Sequence, residues 1–316
     1  MSKYNELNGL KVRYLSSDPP SPENGEVWYN SSSIRAEGIA GTGAWSSGGS
    51  APVGLSGPSM AGNNTDAMMW GGDNGGPTPS WPRSSSHYNG TSWTGDGTIP
   101  TALNNSGQAG AGHTDATMWG GYNPPGGAAS VTNKFNGSSW TASGNLNNAR
   151  QYAYMTGAGT QTAAVAIGGG PNQAVHEHFN GSSWTTKTNF PSGANSVYAI
   201  GTQTATLGVS GANGTTASWD GSSWTGIPSS LNSNRQYGAA GGANTSSAYV
   251  FGGGSSTTVE LYNGTSWSTE PSMARSRSSG GGSGITSNAL LAGATYGNTT
   301  VEEFTIPFGT ATISSS

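Results

Sequence analysis

The stretch Tyr88-Asn89-Gly90-Thr91-Ser92-Trp93 decides the fold, because it returns at a near-constant interval. An aromatic, Asn or Asp, Gly, Ser or Thr, Ser and Trp recur at Phe135 to Trp140, Phe179 to Trp184, Trp219 to Trp224 and Tyr262 to Trp267. A shorter copy, Gly41-Thr-Gly-Ala-Trp45, stands ahead of them, so that successive Trp spacings are 48, 47, 44, 40 and 43. Asn-Gly between two strand-like runs is a strong two-residue hairpin signal. Each phrase therefore joins two antiparallel strands. A period of 40–50 residues with one Trp per unit points to propeller blades.

Two further landmarks run in phase. Short apolar runs closed by Gly occur at Ala67–Gly71, Ala116–Gly120, Ala164–Gly168, Thr204–Gly208, Ala248–Gly252 and Ala289–Gly293, and read as buried strands. Arginines open some units, at Asn148-Ala-Arg150, Ser233-Asn-Arg235 and Met273-Ala-Arg275. Arg, an apolar strand ending in Gly-Gly, an aromatic and then Trp together resemble the kelch-type repeat, over roughly residues 34 to 305. The resemblance implies an all-β, six-bladed propeller of four-stranded antiparallel blades, with strands a to d in chain order. Units then start near residues 50, 104, 149, 193, 234 and 275. Two departures stand out: three units lack the Arg, and the fourth reads Gly208-Val-Ser-Gly211 in place of the diglycine.

The sixth unit stops at Phe304 with no Asn-Gly and no Trp, whereas Trp45 belongs to a strand d without its own a, b and c. One deficit matches one surplus, so residues around 41–48 are expected to complete the last blade and close the ring, which removes an open sheet edge. The expected organisation is an attachment segment over 1–33, the propeller over 34–305, and a tail over 306–316 that is frayed or a short lone strand.

Composition narrows the function. Only 8% of the 316 residues are Asp, Glu, Lys or Arg, against roughly 25% in an average soluble chain. Eleven Lys and Arg at a net charge of −4 leave no basic stripe for nucleic acid. No run is apolar enough to span a membrane, and Met1-Ser-Lys-Tyr-Asn-Glu-Leu-Asn8 carries no leader-like apolar segment. The absence of Cys excludes disulfides and thiolate chemistry.

Candidate site residues come from where the repeat is broken. The b–c interval is 17 residues from Gly71 to Tyr88 and 15 from Gly120 to Phe135, but 10 or 11 elsewhere. Trp81 and Tyr122, in these long loops, are expected to meet at one rim. An exposed aromatic beside Asp73 and Asn74 suits stacking on a sugar with hydrogen bonds to its hydroxyls; the alternative is that both aromatics fold down over their own loops. By contrast Trp45, Trp93, Trp140, Trp184, Trp224 and Trp267 keep strict phase and are expected to pack between blades. Glu177, Glu260 and Glu302 lie two residues before the aromatic in the three Arg-bearing units. Ion pairs Arg150–Glu177, Arg235–Glu260 and Arg275–Glu302 follow as expectations. In His176-Glu177-His178, strand alternation puts both imidazoles on one face and Glu177 on the other. Two ligands without a third are a weak metal signal, and His87 and His113 stand isolated in the sequence, so no metal or cofactor is expected.

Leu10-Lys-Val-Arg-Tyr-Leu15 and Pro22-Glu-Asn-Gly-Glu-Val-Trp-Tyr-Asn30 resemble the opening segment of structural proteins of tailed phages, especially marine ones. That resemblance implies a virion protein, in several copies per particle, bound to other virion proteins through residues 1–33. The expected function is non-enzymatic: a tail fibre, spike or decoration component whose propeller contacts a host-surface glycan or another protein. Alternatives are a sialidase-like carbohydrate-active enzyme, which would need Arg150, Arg235 and Arg275 to converge, and an intracellular kelch-like adaptor.

Overall fold

The structure is a computed structural model and describes residues 13–15, 27–30, 33–39, 43–76, 81–151, 157–170, 174–285, 287–294, 298–305 and 308–313. Among these, six four-stranded antiparallel sheets form a six-bladed β-propeller. Blade one consists of Ser59–Gly62, Ala67–Trp70, Ser84–Tyr88 and Trp93–Thr98. Blade two consists of Gly107–Ala109, Thr117–Trp119, Thr132–Phe135 and Trp140–Ser143. Blade six takes Gly281–Ile285, Asn288–Ala292 and Val301–Thr305, and its outer strand is Ala44–Ser47 from the other end of the chain. The ring is closed by that strand.

The recurring phrase forms the c–d corner of five blades. Each aromatic pairs directly with its Trp, as in Tyr88 with Trp93 and Phe135 with Trp140. Four residues therefore stand in the loop rather than the two of a tight Asn-Gly hairpin. The side chain explains the difference: Asn89 Oδ1 accepts from the amides of Thr91 and Ser92 at 3.0 and 2.9 Å, occupying donors that a shorter turn would leave to water. Asn136, Asn180, Asp220 and Asn263 repeat this arrangement. At Asp220 the Ser223 and Ser222 amides hold the carboxyl down to about 2.

The core lies between blades. One cluster joins Trp70 of blade one to Met118 and Phe135 of blade two, and another joins Tyr198 and Leu207 of blade four to Val250 and Tyr262 of blade five. In blades two, three, four and six the indole locks the seam by donating backwards into the preceding blade. Trp140 Nε1 donates to Ser85 Oγ at 3.0 Å, Trp184 to Thr132 Oγ1 at 2.9 Å, Trp224 to the Thr188 carbonyl at 3.1 Å, and Trp45 to the Pro271 carbonyl at 3.1 Å. A buried apolar residue opens each unit: Ala51, Ile99, Leu146, Phe190, Leu231 and Met273.

The a strands line the axis, and there the side chains are minimal. Gly62, Gly110, Gly159, Gly201, Gly242 and Gly284 occupy one level with φ between 94° and 151°. A Cβ at Gly201 would lie 2.3 Å from the Ala205 carbonyl oxygen, so this level accepts only glycine. An axial cavity of about 320 Å³ remains.

The chain divides into two compact units, Trp45–Phe304 and Met1–Ala44 with Thr305–Ser316. The second holds its own sheet, in which Arg13–Leu15 runs parallel to Val27–Asn30, followed by Ser33–Ile39 and Phe308–Ile313. Two expectations change here. Residues from 34 to 39 belong to this sheet and not to the propeller, and the described part of the tail, Phe308–Ile313, is no lone strand, because it pairs along its length with Ser33–Ile39.

Candidate functional site

The two long b–c loops meet. Asp73 pairs through its backbone with Ser56, and Asp73 Oδ1 and Asn74 Oδ1 accept from the Gly75 and Gly76 amides at 2.8 and 3.1 Å. Tyr122 starts a small ribbon in which Tyr122–Asn123 pairs with Gly127–Ala128, and its backbone bridges Asn104. The Trp81 and Tyr122 rings lie 5.5 Å apart at 48°. Trp81 is only 8% exposed, however, so it does not present a stacking face. It supports Tyr122, which stays half-buried, while Asn74 is exposed and Asp73 half-buried. This correction has a simple cause: an indole left in water would forgo about 2–3 kcal/mol of burial. Residues 77–80 lie outside the described residues.

The arginines are structural in position. Arg150 Nη2 reaches Glu177 at 2.5 Å, and Arg235 Nη2 bonds Glu260. In blade six the partner of Glu302 is Arg277 and not Arg275, through Nε at 2.9 Å and Nη2 at 2.8 Å. Each glutamate also accepts an amide three residues ahead of its arginine, from Asn147, Asn232 and Ala274. Burial lowers the pKa of each guanidinium, against the pull of the carboxylate beside Arg150 and Arg277. The carbonyl of this position anchors the preceding blade: the Gly121 and Gly253 amides donate to the Arg150 and Arg277 carbonyls. At the same position blades one, two and four carry buried Leu55, Leu103 and Ala194, and the Glu position holds Ser86, Asn133 and Ala217. The pair is thus gained or lost as a unit.

Two histidine sites remain. His176 Nδ1 lies 3.2 Å from the Thr188 carbonyl, and the His176 and His178 Nε2 atoms are 2.8 Å apart. These contacts assign a neutral pair, in which His178 donates to His176. Burial holds His176 at about 3 and His178 at about 4, with the neighbouring charges adding to the effect. Glu177 points the other way, to Arg150. His87 and His113, isolated in the sequence, stack at 4.7 Å across blades one and two, with Asp96 and Asp66 on their Nδ1 atoms at 2.7 and 2.6 Å. The sequence did carry a signal for this site: His113 and Asp66 sit in equivalent a–b turns of adjacent blades. No group of three or more potential ligands that could hold a metal occurs among the described residues.

Comparison with protein-family models and with curated proteins finds no match to this chain. The likeness to kelch-type repeats and to phage structural proteins therefore rests on the motif residues alone.

Proposed function

We propose that this chain is a non-enzymatic virion protein, a tail fibre, spike or decoration component that contacts a host-surface glycan at the rim of blades one and two. The observation that carries the rim is the meeting of two extended b–c loops through Trp81 and Tyr122, in the two blades whose b–c loops are longer than the others. Tyr122 offers a ring braced from behind, and Asn74 and Asp73 supply the polar groups that orient hydroxyls. The sheet of Arg13–Leu15, Val27–Asn30, Ser33–Ile39 and Phe308–Ile313 supports the attachment role, because it belongs to a compact unit of its own. Of the arginines that a sialidase-like reading requires, Arg150 and Arg235 are buried and each tied to a glutamate of its own blade, whereas Arg275 is exposed.

The test is binding of the full chain to a glycan array of bacterial envelope polysaccharides, alongside Tyr122→Ala and Asn74→Ala. Loss of a wild-type signal in Tyr122→Ala, at an unchanged melting temperature, is the expected result. Binding that survives both substitutions would remove the rim from the account. A wild type that binds no glycan, yet is found on purified particles, would favour the second reading, a protein–protein contact.

A further inference from the structure

We infer that the rim of blades one and two takes an acidic glycan, one whose sugar ring bears a carboxylate, and that Arg83 is the residue that reads the charge. This rests on the rim site proposed above and adds the class of sugar to it. Placement comes first. Trp81 meets Tyr122 of blade two, Ser85 Oγ accepts from Trp140 Nε1 of blade two, and His87 stacks on His113 of blade two. Every second residue of this stretch is thus turned to the same seam, and Arg83 stands between Trp81 and Ser85 in that series. The nearby bulge leaves the alternation intact, because its extra residue lies in Trp93–Thr98 and not in Ser84–Tyr88.

Local bonds hold the guanidinium ready. Its Nε donates to the Ile99 carbonyl at 2.7 Å, and the Ile99 amide donates back to the Arg83 carbonyl at 2.7 Å. Arg83 is exposed, and its Nη1 and Nη2 have no partner among the described residues. Asp73, the acid of the same loop, is not paired with it: Asp73 Oδ1 accepts from the Gly75 amide. A planar fork anchored at one nitrogen and open at the other two matches the two oxygens of a carboxylate. The scaffold does not ask for an arginine here. The same amide-to-carbonyl bond marks the equivalent position in other blades, from Leu146 to Ser130, Phe190 to Ala174 and Met273 to Thr257, where the side chains are small. The cation appears in the blade with the longest b–c interval, and in a chain with only eleven Lys and Arg.

The probes are oligogalacturonate and its methyl ester, which keeps the ring hydroxyls and loses the charge, titrated into the full chain by isothermal calorimetry. The acid should bind about tenfold more tightly than the ester, and the gap should close as salt rises. Arg83→Gln should bring the acid down to the affinity of the ester and leave the ester unchanged, at an unaltered melting temperature. Arg275→Gln, which removes an exposed arginine of blade six, should change neither. Tyr122→Ala should weaken both probes by the same factor. Equal affinity for the two probes, still lowered by Tyr122→Ala, overturns the charge assignment and leaves the rim site standing. A preference for the acid that survives Arg83→Gln, or that falls as far in Arg275→Gln, overturns it too. If neither probe binds, the acidic class is wrong, and the glycan array decides the rim itself.

Discussion

The Arg–Glu pair shows how far a single residue can be read. Co-occurrence of the two residue types in three units identified the pair and the face on which it lies, because a buried charge survives only with its partner. The register in blade six failed. Met273-Ala-Arg275 mimics Asn148-Ala-Arg150, but the interval from the blade's Trp decides the matter. Arg150 and Arg235 follow their Trp by 10 and 11 residues, as Arg277 follows Trp267 by 10, whereas Arg275 follows by 8. The apolar residue four positions ahead agrees: Leu146, Leu231 and Met273. Arg277→Met should therefore lower stability by about 3–5 kcal/mol in urea denaturation, because Glu302 is left charged and buried. Arg275→Ala should stay within about 0.5 kcal/mol. Equal losses in the two variants would refute the assignment. The meeting of Trp81 with Tyr122 was legible from their loops, but the choice between an exposed stacking face and burial was not, since it depends on a neighbouring blade.

At the scale of elements, strand c of blade three, His176–Phe179, carries a pH dependence. Alternation correctly separates His176 and His178 from Glu177, and only the neighbouring blade decides what the imidazoles meet. Trp219 and Trp224 pack against His176 at 4.8 and 5.2 Å, so the pair is held in an aromatic seam between blades three and four. The charges near it, Lys187 and Arg150, are both positive. The folded pKa values of about 3 and 4 lie below the ordinary 6.5, so the unfolded chain takes up protons that the folded one refuses. The contribution is complete above about pH 6.5 and is lost as pH falls toward 4 and then 3. The melting temperature, measured from pH 7.5 down to pH 4, should decline over that window. His178→Gln, which keeps a donor for His176, should decline less. A variant curve parallel to wild type would place the acid sensitivity elsewhere. The strands themselves were legible because Gly-closed apolar runs and Trp corners recur. The small sheet was not, because its partner strands, Ser33–Ile39 and Phe308–Ile313, are far apart in sequence and belong to no repeat.

At the scale of the whole molecule, closure is what turns an array into one body. Stacked repeats with free ends gain stability only from nearest neighbours, and end units fray. Here blade six meets blade one through both backbone and core. Ala51, Leu55, Met60, Met69 and Tyr88 form one cluster with Leu290, Ala292 and Val301. The Tyr88 hydroxyl bonds Glu303 and accepts the Gly49 amide at 3.1 Å. Trp45, on the closing strand, packs on Phe304 at 5.2 Å and on Phe251 of blade five at 5.9 Å. A chain beginning at residue 43 keeps all of these contacts, whereas one beginning at residue 49 bares the Val301–Thr305 edge and loses the indole. The two truncations remove the same partner of Phe308–Ile313, so the comparison isolates the closing strand. Losing it should cost about 3 kcal/mol in packing and hydrogen bonds, which lowers the ring's melting temperature by roughly 10 °C. The shorter chain should also broaden in calorimetry, with a van't Hoff enthalpy below the calorimetric one, as blades six and one open ahead of the rest. If both truncations melt together and equally sharply, the ring does not depend on its closing strand, and stability resides in the blade seams alone.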